Sequence, residues 1–153
     1  MESDRIVLDS GALSALAEES RAFRTALEEA LRTRAEVFVP TAVIAEATTG
    51  DHRRDATVNR ALKTTSLVAL DGRLARSAAV LRYAHKRAGA GTIDAIVVAT
   101  ADLVPGTGIL TSDPADLRLL ASVRGRTHVI AISDAVAVLT KRHGRGSSQV
   151  SRR

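Results

Sequence analysis

The chain alternates short runs of β-branched and aliphatic residues with longer stretches rich in Ala, Leu and Arg. The short runs, at residues 5–8, 37–39, 67–70, 108–111 and 128–132, predict strands. They lack the polar alternation of a sheet with one wet face, so the sheet they predict is covered on both sides. The stretches between them predict helices: two within 11–34, then one each at 41–49, 55–63, 72–88, 93–103, 114–122 and 134–140. Strands separated by helices imply right-handed crossovers. The expected fold is therefore α/β, a three-layer α/β/α sandwich around a central, mostly parallel five-stranded sheet. The pattern stops near residue 140, so a single domain over residues 1–140 is expected, followed by a basic, disordered tail at 141–153 that is rich in Gly, Ser and Arg. A chain of 153 residues is the length of one domain.

Composition narrows the chemistry. The absence of Cys excludes a disulfide framework, a thiolate zinc site, iron–sulfur ligation and a Cys nucleophile. Phe23, Phe38 and Tyr83 are the only aromatic residues, which argues against binding by rows of stacked rings. No apolar run approaches the roughly 20 residues of a membrane span. Met1-Glu2-Ser3-Asp4-Arg5 lacks the basic start of a secretory signal. The expectation is a cytoplasmic protein without membrane contact.

The net charge of +5 matters less than where it lies. The tail at 141–153 carries five basic residues and no acid, which leaves residues 1–140 formally neutral. Within that neutral part, residues 53–87 hold nine Lys or Arg against Asp55 and Asp71, whereas residues 1–52 hold five Arg against ten acids. Such asymmetry suggests a polyanion-facing basic surface beside an acidic region, although a solvated helix face with a floppy tail reads the same way.

In an open α/β sheet, ligands bind outside the carboxyl ends of the strands, where the strand order reverses. Acids dominate that edge here. Asp9 follows the first predicted strand, Asp71 the third, and Asp113 the fourth, with Asp116 three residues on. Two further carboxylates, Glu46 and Asp94, stand in apolar helical surroundings. Each has a structural explanation. Asp113 before Pro114 reads as a helix N-cap, Asp94 sits in a first turn after a Thr92 cap where a negative charge suits the helix dipole, and Asp9 before Ser10-Gly11 fits a turn. Glu46 resists such treatment, because Val43 and Ala42 on its flank are apolar and an ionised Glu facing the core is costly unless paired or bound to a cation. Taken together, carboxylates projecting toward one edge repel one another unless a cation offsets them. With oxygen ligands and no Cys, that cation is Mg²⁺ or Mn²⁺ rather than zinc. His52, His85, His128 and His143 are too scattered to form a ligand set.

Four segments then carry a resemblance: Ile6-Val7-Leu8-Asp9-Ser10-Gly11-Ala12-Leu13; Val39-Pro40-Thr41-Ala42-Val43-Ile44-Ala45-Glu46-Ala47-Thr48-Thr49-Gly50; Thr92-Ile93-Asp94-Ala95-Ile96-Val97-Val98-Ala99-Thr100-Ala101; and Ile109-Leu110-Thr111-Ser112-Asp113-Pro114-Ala115-Asp116-Leu117. In this order the chain resembles PIN-domain ribonucleases, specifically VapC-type toxins of type II toxin–antitoxin systems, over residues 5 to about 132. The resemblance implies Mg²⁺ or Mn²⁺ binding and catalysis by Asp9, Glu46, Asp94 and Asp113, with Asp116 as an accessory metal ligand and Ser10 or Thr111 as polar support. It also implies homodimers and a cognate antitoxin protein. The tail lies outside the matched segments. The expected activity is metal-dependent hydrolysis of RNA phosphodiester bonds, with Arg53, Arg54, Arg60 and Lys63 contacting the RNA backbone and Arg73, Arg76 and Arg82 extending that surface. The alternatives are a housekeeping RNA-processing nuclease, a phosphoacceptor module with Asp71 after the third strand and Thr111 ending the fourth, and a non-catalytic RNA-binding module. The phosphoacceptor reading lacks a second acid next to Asp9 and a Lys in residues 128–140.

Overall fold

A computed structural model of the chain describes residues 5–18, 21, 23, 25, 36–86 and 89–134. Apart from residues 21, 23 and 25, which are helical, the second helix expected within 11–34 lies outside the described residues, as do nearly all of the helix expected at 134–140 and the tail at 141–153. The strands are β1 (Arg5–Leu8), β2 (Glu36–Pro40), β3 (Ser66–Val68), β4 (Gly108–Thr111) and β5 (His128–Ala131). The helices are α1 (Ser10–Ala17), α2 (Thr41–Ala47), α3 (Ala56–Leu62), α4 (Gly72–Ala84), α5 (Thr92–Ala101) and α6 (Pro114–Ala121).

The sheet runs β3-β2-β1-β4-β5 and every neighbouring pair is parallel, so the sheet expected to be mostly parallel is wholly so. Pairing of β1 with both β2 and β4 makes it the central strand, and the chain reverses direction across the sheet between β1 and β4. Right-handed crossovers on the two sides of that reversal put their helices on opposite faces of the sheet. The strands are apolar throughout because they are buried on both faces: Val7, Leu8, Val39, Ile109 and Leu110 are buried. Helix α5 is apolar nearly all round, with every residue from Ala95 to Ala101 buried, because the sheet lies on one side of it and α4 on the other. Helix α4 is the outer layer there, burying a narrow stripe of Leu74, Ala78 and Leu81.

Strand β3 is shorter than the run of apolar residues predicts. Leu70 leaves the ladder and gives its N–H to the Thr41 hydroxyl, 3.1 Å away, and Leu67 on this edge strand is exposed. A short edge strand limits pairing with other chains. Near the C-terminus of α5, the buried Asp102 carboxylate accepts from the Thr127 hydroxyl at 2.7 Å and pairs with Arg124 at 3.4 Å. Arg124 also donates to Ser77 of α4 at 2.8 Å. One partly buried ion pair thus ties α4, α5 and the segment leading into β5. Among the described residues no helix is long and apolar enough to cross a membrane.

Candidate active site

The reversal between β1 and β4 leaves a crevice at the carboxyl ends of those strands, and the sequence puts Asp9 and Thr111 at its two lips. Asp9 ends β1 in an extended conformation and caps α1, its carboxylate accepting the Ala12 N–H at 2.7 Å. Its other oxygen accepts a short hydrogen bond from the hydroxyl of Thr111, which is wholly buried at the end of β4. Thr111 Oγ1 in turn accepts the Asp113 N–H at 2.9 Å, so one hydroxyl joins the ends of two strands to the turn that leads into α6. The two turns also touch directly: a Cβ on Gly11 would lie 2.2 Å from Ser112 Oγ, so Gly is the residue that lets the turns close up without displacing that hydroxyl.

The other acids arrive from three helices. Asp94 stands in the first turn of α5, half-buried, and accepts the Gly91 N–H, so the cap expected at Thr92 is one residue earlier and is satisfied by Asp94 itself. Its capping and site readings are therefore compatible. Asp116 lies in the first turn of α6 and is exposed. Asp113 occupies the N-cap position before Pro114, but its side chain makes no cap hydrogen bond, so its carboxylate is not committed to capping. Glu46 corrects the sequence reading: it does not face the core but is exposed, standing in the last turn of the short helix α2, of which Val43 is the one buried residue.

Electrostatics links the five acids into one set. Burial pushes the Asp9 carboxyl above its ordinary 3.8; the hydrogen bonds from Thr111 and Ala12 oppose that, and the charges of Glu46 and Asp113 add to it. Burial likewise raises Asp94, the Gly91 N–H opposes it, and the charges of Asp116, Asp9 and Glu46 push it further. Each acid named is felt by Asp9 or Asp94, and Glu46 by both. Among the described residues, however, no three Asp, Glu or His side chains are gathered into a ready-made metal-holding group. The acids share a field rather than a coordination sphere. All of the donors are hard oxygens, and the excess negative charge is of the kind a divalent cation removes, so the residues fit Mg²⁺ or Mn²⁺ chemistry. His52, His85 and His128 stand apart from this set, and His143 lies outside the described residues.

Asp71 caps α4, its carboxylate accepting the Leu74 N–H at 2.7 Å, which assigns it a structural role. Sequence reading missed Asp55, which is buried after the loop that follows α2. Its carboxylate accepts the Thr49 N–H at 2.9 Å, the Thr49 hydroxyl at 3.0 Å and the Gly50 N–H at 2.8 Å. These bonds, the Thr49 N–H foremost, hold its pKa below the ordinary value. The available signal was an Asp shortly after a Thr-Gly turn; in a charge count it registered only as an acid among bases. By pinning that loop Asp55 fixes Arg53 and Arg54, whose N–H groups also bind the Asp51 carboxylate at 2.8 and 3.0 Å. The side chains of Arg53, Arg54, Arg60 and Lys63 are exposed, and among the described residues they make no ion pair.

Comparison with known proteins bears on the fold and the family. A PIN domain profile matches residues 6–121, a span that includes Asp9, Glu46, Asp94, Asp113 and Asp116. No curated protein matches the chain. Among solved structures, VapBC2 from Rickettsia felis, determined with a DNA fragment from its promoter, is similar with a TM-score of 0.66 at 11% identity, covering 83% of this chain and 98% of that one. PAE2754 from Pyrobaculum aerophilum is similar with a TM-score of 0.54 at 19% identity, covering 90% of each chain. Likeness at such identities shows a shared fold. With the profile matched over most of its length, the chain belongs to the PIN domain family, whose members are in general nucleases.

Proposed function

We propose that the protein is a Mg²⁺- or Mn²⁺-dependent ribonuclease, and that its cell biology is that of a toxin held silent by a cognate antitoxin. The observation that carries the first part is the pair of charge-burdened carboxylates at the switch point of a PIN fold, the buried Asp9 and the half-buried Asp94. Held by Asp9, Glu46, Asp94 and Asp113, with Asp116 beside them, the metal would lower the pKa of a bound water and stabilise charge developing on a phosphodiester. The chain's own residues supply position. Thr111 orients the Asp9 carboxylate, the Gly91 N–H orients Asp94, and the exposed Arg53, Arg54, Arg60 and Lys63 hold the RNA backbone without reading its sequence. No protein nucleophile is required.

In Mg²⁺ or Mn²⁺ the purified protein hydrolyses a structured RNA, and excess EDTA stops it. In a parallel binding measurement, changing Arg53, Arg54 and Arg60 together to Ala flattens the dependence of affinity on log salt by up to about 0.7 for each phosphate no longer neutralised. Full hydrolysis in EDTA refutes the metal mechanism, and an unchanged salt slope removes those residues from the RNA surface.

The toxin reading is supported by the fold shared with VapBC2. A partner silences such a site by covering it, or by presenting an Arg whose planar guanidinium pairs with the carboxylates the metal needs. Induction of the chain alone arrests growth, and co-expression of the protein encoded immediately upstream relieves the arrest. Normal growth on strong induction of active protein leaves a housekeeping nuclease instead.

A further inference from the structure

Helix α3, with Arg60 on it and Lys63 at its end, packs on α1, the helix that Asp9 caps. Helix α4 packs on α5, the helix that carries Asp94. The acids are thus flanked by two helices bearing positive charge, and the second flank has a shaped surface. Residues 72–93 contain five Lys or Arg and no acid. An open cleft of about 660 Å³ lies there, lined by Val80, Arg82, Tyr83, Lys86 and Ala90 among others. Tyr83 is 70% exposed, and Val80 beside it 58%. The Lys86 ammonium sits over the Tyr83 ring at 4.6 Å from its centroid. Arg82 Nη1 donates to Thr92 Oγ1 at 2.8 Å, and Thr92 begins the helix turn that holds Asp94. One hydrogen bond thus ties the cleft to the first turn of the helix that carries Asp94.

The cleft presents an exposed aromatic ring between cationic side chains in a segment without acids, and that charge selects an anionic occupant. We infer that this cleft is a subsite for single-stranded RNA next to the cleaved phosphodiester, with Tyr83 stacking one base and Lys86 and Arg82 meeting the flanking phosphates. The inference rests on the ribonuclease reading. A single ring accepts any base, since every base has a π-face. The ammonium on one side of the ring strengthens the arrangement by cation–π attraction, leaving the rest of the exposed ring for the base. Arg82 spends one donor on Thr92 and retains others for phosphate. A second copy of this chain is a poorer occupant, because it would bring the same positive charges face to face.

The test compares Asp9→Asn protein with and without Tyr83→Ala, Tyr83→Phe and Lys86→Gln, measuring affinity for a short fluorescent uridine oligonucleotide in Mg²⁺. Tyr83→Ala weakens binding about tenfold, as removal of one base–aromatic stack does, without moving the thermal midpoint. Tyr83→Phe binds as the parent does, and Lys86→Gln reduces the slope against log salt by about 0.7. A 5-iodouridine version of the oligonucleotide photo-crosslinks at Tyr83. Unchanged affinity in Tyr83→Ala, or a parent that does not bind the oligonucleotide, overturns the subsite even if the wild-type protein cleaves structured RNA. If the wild-type protein cleaves no RNA, the ribonuclease reading falls, and the subsite with it. Should Tyr83→Ala spare RNA binding and instead weaken inhibition by the upstream-encoded protein, the cleft is a protein-docking surface and the subsite is overturned.

Discussion

Asp9→Asn eliminates RNA hydrolysis while leaving the protein folded and, without added metal, at least as stable as before. The loss is about three orders of magnitude in single-turnover rate, since a ligand that fixes a catalytic metal accounts for several kcal/mol of transition-state stabilisation at about 1.4 kcal/mol per factor of ten. The fold survives because the replacement is nearly isosteric: the amide oxygen accepts the Ala12 N–H as the carboxylate does, and the amide NH₂ faces the Thr111 hydroxyl. Stability is not lost because the charge is a burden. A buried carboxyl whose folded pKa stands above its unfolded 3.8 binds more protons in the native state than in the unfolded one. Wild-type stability without metal therefore falls as pH rises from about 4 through the raised value, and the variant shows a shallower fall. Thermal unfolding across pH, with and without Mg²⁺, measures it. A variant that keeps a tenth of the wild-type rate removes Asp9 from the reaction, and one that unfolds at neutral pH shows that its charge supports the fold.

Thr111→Val has the second-largest effect, and it acts on stability and activity together. The replacement keeps the shape of a side chain that is wholly buried but deletes the hydroxyl that serves both Asp9 and the Asp113 N–H. Leaving those groups without their partner costs about 2 kcal/mol of stability. The Asp9 carboxyl also loses the largest of the influences that hold its pKa down, so the ionised form appears only at higher pH and the acidic limb of the rate profile moves upward. Thr111→Ser restores both. If Thr111→Val matches the wild type in denaturant midpoint and in pH–rate profile, the hydroxyl does not organise the site.

Much of this arrangement was legible in the sequence because it depends on local patterns. Strands β1 and β4 begin and end where their apolar runs do, and Asp9 and Asp113 follow them closely, so a parallel sheet dictates which edge they occupy. What escaped was whatever depends on how a short helix is turned or on which loop folds back. Glu46 looked core-facing from its apolar neighbours, but α2 has only seven residues and buries one of them, so the pattern could not fix its orientation. Asp55 finds its partners five and six residues earlier, in a loop without periodicity. The Tyr83–Lys86 pair sits at helical i, i+3 spacing, yet only the packing of α4 on α5 and the bond from neighbouring Arg82 to Thr92 tie it to the turn that carries Asp94.

The hydrogen bond between Asp9 and Thr111 spans 102 residues of sequence. Its donor is the last residue of β4, the strand that completes the enclosure of β1. During synthesis, then, the first half of the molecule holds Asp9 and Glu46 but has nothing to set opposite them. A nascent chain halted before β4 lacks Thr111 and Asp113 and, with them, one whole side of the crevice. Because such long-range closure comes late in folding, a chain on the ribosome cannot assemble the crevice until β4 has been made. Interrupted translation therefore releases fragments that carry part of the acid set but cannot assemble the site.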